Sequence, residues 1–144
     1  MRSIADSVLR ANPATKIIAM GDFNDDPTDK SIAQGLGAKF KLKDLKKGDM
    51  YNPYADMLKA GFGSLAYGDA WNIFDNIVMS ENLAKGSTGK LQLQKAPGSK
   101  FYGNIFKQRY MVQKRDNTRD IRCVHMWAII FREVSVITSP YISI

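Results

Sequence analysis

An apolar run that ends abruptly in an acidic loop constrains the fold most. Residues 16–20 read "KIIAM", which is typical of a buried strand, and "GDFNDDP" follows at once. A second apolar run at residues 71–80 has the pattern of a strand and carries Asp75. The remaining patterns predict helices at residues 3–11, 27–36 and 53–60, and a further strand at 90–94. Strands mixed with flanking helices predict an α+β layered domain.

The residues after the first strand carry chemistry that suits a phosphate or metal site. Asp22 offers a carboxylate to a divalent cation or to a water that must be activated. Asn24 offers a neutral donor to a phosphate oxygen without adding repulsion, and Gly21 permits close approach of the backbone. By itself, an Asp-x-Asn loop is weak evidence, because such a loop is usually just a turn with a helix cap.

An EF-hand calcium loop is a second interpretation of the same residues. Asp22, Asn24 and Asp26 fall at loop positions one, three and five. However, Pro27 stands where the sharp turn needs glycine, and Ala33 stands where the closing glutamate belongs. The sequence therefore argues against an EF-hand.

The segments "IIAMGDFNDDP" and "AWNIFDNIVMS" together resemble two signature strands of the endonuclease/exonuclease/phosphatase superfamily, over about residues 3–114. The resemblance implies a deoxyribonuclease-I-like fold, which is a four-layer α/β/β/α sandwich. This chain would form half of that sandwich. It also implies a phosphoesterase that depends on Mg²⁺ or Mn²⁺ and acts through activated water. Asp22 would bind metal or help activate water, Asn24 would contact the scissile phosphate, and Asp75 would orient a catalytic histidine.

Parts of the family's site are not recognisable in this chain. The metal-binding glutamate and the first histidine belong to the family's N-terminal half, and the closing Ser-Asp-His motif is not found. The only histidine is His125, whose neighbours do not match that motif. We therefore expect weak Mg²⁺ binding, impaired or absent activity, and an exposed apolar sheet face that favours self-association.

The tail at residues 115–144 has a distinct interpretation. Back-translating "REVSVITSPYI" and reading one frame over permits "GGFSDHFPVY", which is the missing family ending. The sequence thus predicts a family region at 1–114 and an out-of-frame tail at 115–144, in which Cys123 and His125 are accidental. Sequencing the gene across the Lys114 codon tests this, because an intact frame with no family ending beside it would contradict the frameshift.

The charge of the chain favours anionic partners. Its net charge is +7 and its pI about 9.5, which suits a phosphoester substrate, nucleic acid among them. The alternative function is a non-catalytic basic fragment that binds nucleic acid or phosphate weakly.

The densest lysine run, at residues 39–47, has no aromatic stripe, so no stacking platform is predicted there. No apolar run is long enough to span a membrane, and the sequence leaves localisation and the particular phosphoester open.

Overall fold

The structure is a computed structural model that describes residues 1–67, 70–86, 91–106, 121–123, 127–131 and 134–138. In these segments the helices are α1 (Arg2–Ala11), α2 (Ala55–Lys59) and α3 (Glu81–Ala84), with a π-helical turn at Ser31–Gly35 and a 3-10 turn at Leu42–Asp44. The strands are β1 (Ile18–Asp22), β2 (Ala38–Lys39), β3 (Met50–Tyr51), β4 (Leu65–Tyr67), β5 (Ala70–Asn72), β6 (Asp75–Ser80), β7 (Leu93–Gln94), β8 (Gly103–Ile105), β9 (Ile121–Cys123), β10 (Trp127–Phe131) and β11 (Val134–Thr138).

Strand β6 forms the centre of the first sheet, whose order is β1-β6-β3-β2. It runs antiparallel to β1 and β3, and all six of its residues are buried. Because side chains alternate along a strand, Ile77 and Met79 enter one apolar cluster while Val78 enters another on the opposite face. The sheet is therefore covered on both sides, which explains the unbroken apolar run at residues 77–79 in the middle of β6.

Different layers cover the two faces of this sheet. Ile32 and Leu36, from the π-helical turn and the residue after it, pack against Val78 on one face. On the other face, Leu93 of β7 and Ile105 of β8 pack against the larger cluster. Strands β7 and β8 belong to a second sheet built around β10, and β5-β4-β9 form a third. The predicted mixture of helices and sheets is confirmed, while the four-layer sandwich stays a prediction.

Gly103 begins β8 in the second sheet, next to the larger apolar cluster. A Cβ atom added at Gly103 would stand 2.8 Å from the Tyr54 ring of that cluster. We expect Gly103→Ala to lower the free energy of unfolding by about 1–3 kcal/mol, because the buried ring must move. Gly35→Ala is the matched control, since its new Cβ meets only a backbone oxygen at 3.8 Å. Urea denaturation measures both variants, and equal stability of the two would contradict this packing.

Two predicted elements differ from those observed. The helix expected at 27–36 shrinks to Ser31–Gly35, because the preceding residues form a hydrogen-bonded turn in which the Asp29 N–H donates to the Asp26 carbonyl. The strand expected at 71–80 divides into β5 and β6, which lie in different sheets. The division falls at Ile73, whose N–H donates to the Asp26 side chain instead of to a neighbouring strand. The helices expected at 3–11 and 53–60 are confirmed, the latter as the shorter α2.

The predicted tail contains three described strands, β9, β10 and β11. Strands β10 and β11 pair antiparallel with each other, and β9 pairs antiparallel with β4. His125 lies outside the described residues, so the interpretation that it is accidental stays a prediction. Among the large apolar side chains of the described residues, the most exposed are Ile4 in α1 and Met1 beside it, at 67% and 63%. Phe62 and Met20 follow. Self-association stays a prediction. No helix in the described part of the chain has the length and apolar character needed to cross a membrane.

Candidate functional site

The first sheet brings two of the predicted site residues together at one of its ends. Strand β1 ends at Asp22, β6 begins at Asp75, and these two residues are direct cross-strand partners. Side chains at opposed positions of an antiparallel pair project from the same face, with Cβ atoms about 4.5–5.5 Å apart. Asp22 is exposed, whereas Asp75 is 4% exposed. This end of the sheet therefore carries one carboxylate that faces solvent and one that is covered.

Asn24 follows Asp22 in an unusual backbone conformation. Its φ angle is +53°, and it is the one non-glycine residue with positive φ in the described segments. Asparagine tolerates this left-handed conformation better than most residues. The Asn24 N–H donates to Asp22 Oδ1 at 2.9 Å, and the Phe23 N–H donates to the Phe74 carbonyl at 2.8 Å. The loop's own backbone thus orients the Asp22 carboxylate, while Asn24 is exposed.

A buried asparagine anchors this loop to the sheet. Asn76 is fully buried, and its Nδ2 lies within hydrogen-bonding distance of the Asp25, Ile73 and Phe74 carbonyls at 3.2, 2.9 and 3.2 Å. Its Oδ1 accepts a hydrogen bond from Asn52 Nδ2 at 2.8 Å, and Asn52 is also fully buried. Sequence reasoning missed both residues. A polar side chain inside an apolar strand run was the available signal, because such groups are buried only when they are hydrogen-bonded.

The other acidic side chains of the loop are engaged in shaping it. Asp25 Oδ2 accepts the Ser31 hydroxyl at 2.6 Å, and Asp26 Oδ1 accepts the Ile73 N–H at 2.6 Å. Asp29 Oδ2 accepts the Asp26 N–H at 2.8 Å. These carboxylates occupy turn and capping positions, which separates their role from that of Asp22 at the strand end.

Burial raises the pKa of Asp26 above its ordinary value of 3.8, with smaller contributions from the charges of Asp29 and Asp25 and partial opposition from the Ile73 N–H. A raised folded-state pKa means that the native protein holds this proton more tightly, so stability falls as pH rises from the ordinary pKa through the folded one.

Asp26→Asn removes this titration and leaves an amide oxygen to accept the Ile73 N–H. As pH rises from about 3 to about 7, the range over which acidic groups titrate, we expect the variant to gain stability relative to the wild type. Urea denaturation across that range measures it, and a flat or opposite trend would contradict the assignment.

A buried phenol lies near the covered carboxylate. The Tyr54 side chain is fully buried, and its hydroxyl has no hydrogen-bond partner in the part of the chain that the structure describes. Burial raises the pKa of Tyr54, and the charge of Asp75 raises it further. The ring therefore stays neutral at physiological pH. Its position was not predicted from sequence, where Tyr54 is one more aromatic residue in a short helical pattern.

The described residues contain no group of three or more histidine, cysteine, aspartate or glutamate side chains arranged to hold a metal ion. Proteins often hold Mg²⁺ through only one or two carboxylates, with waters and substrate phosphates completing the octahedron. Asp22 and Asp75, as cross-strand partners, fit a site of that open kind. The donor set therefore suits a weakly held hard cation rather than a closed structural one.

Comparison with known families gives one result that covers most of the chain. The family model described as "Endonuclease/Exonuclease/phosphatase family" matches residues 1–122. This range includes the Asp22 loop and all of β6, and it ends after the Lys114 boundary predicted from sequence. No curated protein and no solved structure matches the chain significantly. On the family match, together with the loop and strand just described, the chain belongs to the endonuclease/exonuclease/phosphatase family.

Proposed function

We propose that this protein is a divalent-metal-dependent phosphoesterase that uses activated water. Its family domain suggests a hydrolase of the nuclease or phosphatase type. The observation that carries the finer proposal is the cross-strand pairing of Asp22 with Asp75, beside the left-handed turn at Asn24. Carboxylate oxygens at the end of a rigid sheet suit a hard cation and a phosphate held close to it.

The three side chains have different tasks in this proposal. The exposed Asp22 carboxylate binds the metal or takes a proton from the attacking water. The exposed Asn24 amide donates to an oxygen of the phosphate without adding negative charge. Asp75, buried at the start of β6, positions the imidazole or water that completes the site. Mg²⁺ or Mn²⁺, when bound, supplies positive charge that neutralises the developing charge on the phosphate.

A non-catalytic role is the second candidate, and the net charge of +7 favours it. A basic surface binds polyanions through counterion release, so its affinity falls steeply with salt. Salt-dependent binding of nucleic acid without metal-dependent turnover would favour this role. Turnover that depends on Asp22 would favour the enzyme.

Metal affinity tests the proposed site without requiring catalysis. We expect calorimetry to show weak Mg²⁺ binding that does not saturate at micromolar concentrations, because a site with one or two carboxylates leaves most of the octahedron to water. Asp22→Asn should remove this binding, while Asp44→Asn, a change at an exposed aspartate outside the loop, should preserve it. A tight stoichiometric site, or binding that survives Asp22→Asn, would contradict the assignment.

A further inference from the structure

One surface cavity combines lysines with aromatic rings. It has a volume of about 160 Å³, and its lining includes Lys41, Tyr51, Asp56, Lys95, Lys100 and Tyr102. Three separate segments contribute these residues, so no local sequence run reveals the cavity. The lysine run at 39–47 lacks an aromatic stripe of its own, but folding places Lys41 beside rings that lie far away in the chain.

The charge around the cavity is mainly positive. Lys41, Lys95 and Lys100 are all exposed, and Asp56 is the one acidic side chain among the described lining residues. Lys95 Nζ lies 5.0 Å from the centroid of the Tyr102 ring. This distance is within the range of a cation–π contact, which holds the ammonium group above the ring face. An anion that approached Lys95 would therefore arrive next to an aromatic surface.

The aromatic side of the cavity continues from a buried wall to a partly exposed edge. Tyr51 is 4% exposed, and burial raises its pKa, so it presents a neutral ring. Tyr102 and Phe101 are partly buried, and Lys100 Nζ lies 5.3 Å from the Phe101 ring centroid. Rings beside ammonium groups are the combination that binds a base together with its phosphate, because stacking and charge act on different parts of one ligand.

We propose that this cavity is an accessory nucleotide-binding site, separate from the Asp22 loop. Its volume lies below the roughly 300–1,000 Å³ of ordinary small-molecule sites, so it encloses one ring while the rest of the ligand lies outside. The ring stacks beside Tyr102, the phosphate lies against Lys95 and Lys100, and Asp56 accepts an N–H from the base edge. The ligand is a free nucleotide or one unit of a single strand, which share this chemistry.

The cavity is far enough from the proposed catalytic residues to be tested independently. Tyr51 pairs with Met79, which lies four positions along β6 from Asp75. At ~3.3 Å per residue this separation is about 13 Å. Charge changes at the cavity lysines therefore leave the Asp22 loop in place, and failure of this inference would leave the proposal for Asp22 unaffected.

The main test measures binding of a fluorescein-labelled single-stranded adenine oligonucleotide by fluorescence polarisation, without divalent metal. Its length is about ten nucleotides, within the site sizes of single-strand binding folds. We expect Lys95→Glu/Lys100→Glu to lower affinity by at least about tenfold. The control Lys46→Glu/Lys47→Glu makes the same charge change on exposed lysines outside this cavity and should lower it much less. Equal losses in the two double variants, or no binding by the wild type to either the oligonucleotide or AMP, would overturn the proposal.

Two further arms test the ring and the source of the ligand. Tyr102→Ala keeps the charges of both lysines and should weaken binding about tenfold, the loss typical of one stacked base. Competition by AMP identifies a free nucleotide as sufficient, whereas competition by unlabelled oligonucleotide alone identifies a strand, and either result supports the site. Competition by inorganic phosphate as strong as that by AMP, or unchanged affinity in a Tyr102→Ala protein with native circular dichroism, would show that no ring is bound and would overturn it.

Discussion

Asp22→Asn is expected to lower Mg²⁺-stimulated hydrolysis of bis(p-nitrophenyl) phosphate by about 10²–10⁴-fold, the range that a positioned proton acceptor contributes. The asparagine oxygen can still accept the Asn24 N–H, which lies 2.9 Å from Asp22 Oδ1 in the wild type. The turn is therefore retained while the charge is lost. The starting rate should itself be low, because the described residues contain no group of three or more acidic, histidine or cysteine side chains that could hold a metal ion.

Asp44→Asn provides the control for this experiment, since it makes the same chemical change at an exposed residue outside the loop. Its rate should equal that of the wild type, and circular dichroism should show both variants folded. Equal turnover by the wild type and Asp22→Asn would mean that the measured activity does not depend on this loop. The binding role would then be the better explanation of the basic surface.

Asn76→Ala is expected to lower the free energy of unfolding by about 3 kcal/mol, because it leaves several buried polar groups without partners. The lost bonds include that from Asn52 at 2.8 Å and those to the Ile73 and Asp25 carbonyls at 2.9 and 3.2 Å. Since the same side chain ties the loop after Asp22 to β6, turnover should fall as well. Urea denaturation followed by far-UV circular dichroism measures the loss of stability.

Asn12→Ala is a matched comparison, because Asn12 Oδ1 accepts one hydrogen bond, from the Ala14 N–H at 3.0 Å, on the exposed surface. It should cost less than about 1 kcal/mol. A double-mutant cycle with Asn52→Ala should also show coupling to Asn76→Ala, since the two amides share a bond. Additive effects, or a cost for Asn76→Ala no larger than that for Asn12→Ala, would contradict the proposed anchoring role.

The strand-end loop and β6 were predictable because their patterns are local. An apolar run followed by "GDFN", and a later apolar run that carries Asp75, are visible in the sequence alone. The pairing of Asp22 with Asp75 was not predictable from local pattern, because register depends on which residues of two distant strands face each other. The residue roles suggested by the family resemblance remain predictions, and the pairing supplies their geometric support.

The missed features depend on long-range contacts. In the sequence, Asn76 is only a polar residue within a strand pattern. Its role becomes visible in the fold, where Asn52, 24 positions away in the chain, donates a hydrogen bond to it. The predicted helix at 27–36 failed because the side chains of Asp26 and Asp29 hydrogen-bond to backbone N–H groups and favour a turn over the first helical residues. Tyr102 and Lys41 are likewise unrelated in sequence but line one cavity.

The location of a bound metal is the sharpest test of the proposed site at Asp22. A crystal of the protein soaked with Mn²⁺ and examined by anomalous scattering would show where a hard cation binds. Our account predicts a peak at roughly 2.0–2.2 Å from an Asp22 carboxylate oxygen, on the side that faces Asp75. A Mn²⁺ ion bound elsewhere, with none at Asp22 under conditions in which the protein hydrolyses a phosphodiester, would contradict it.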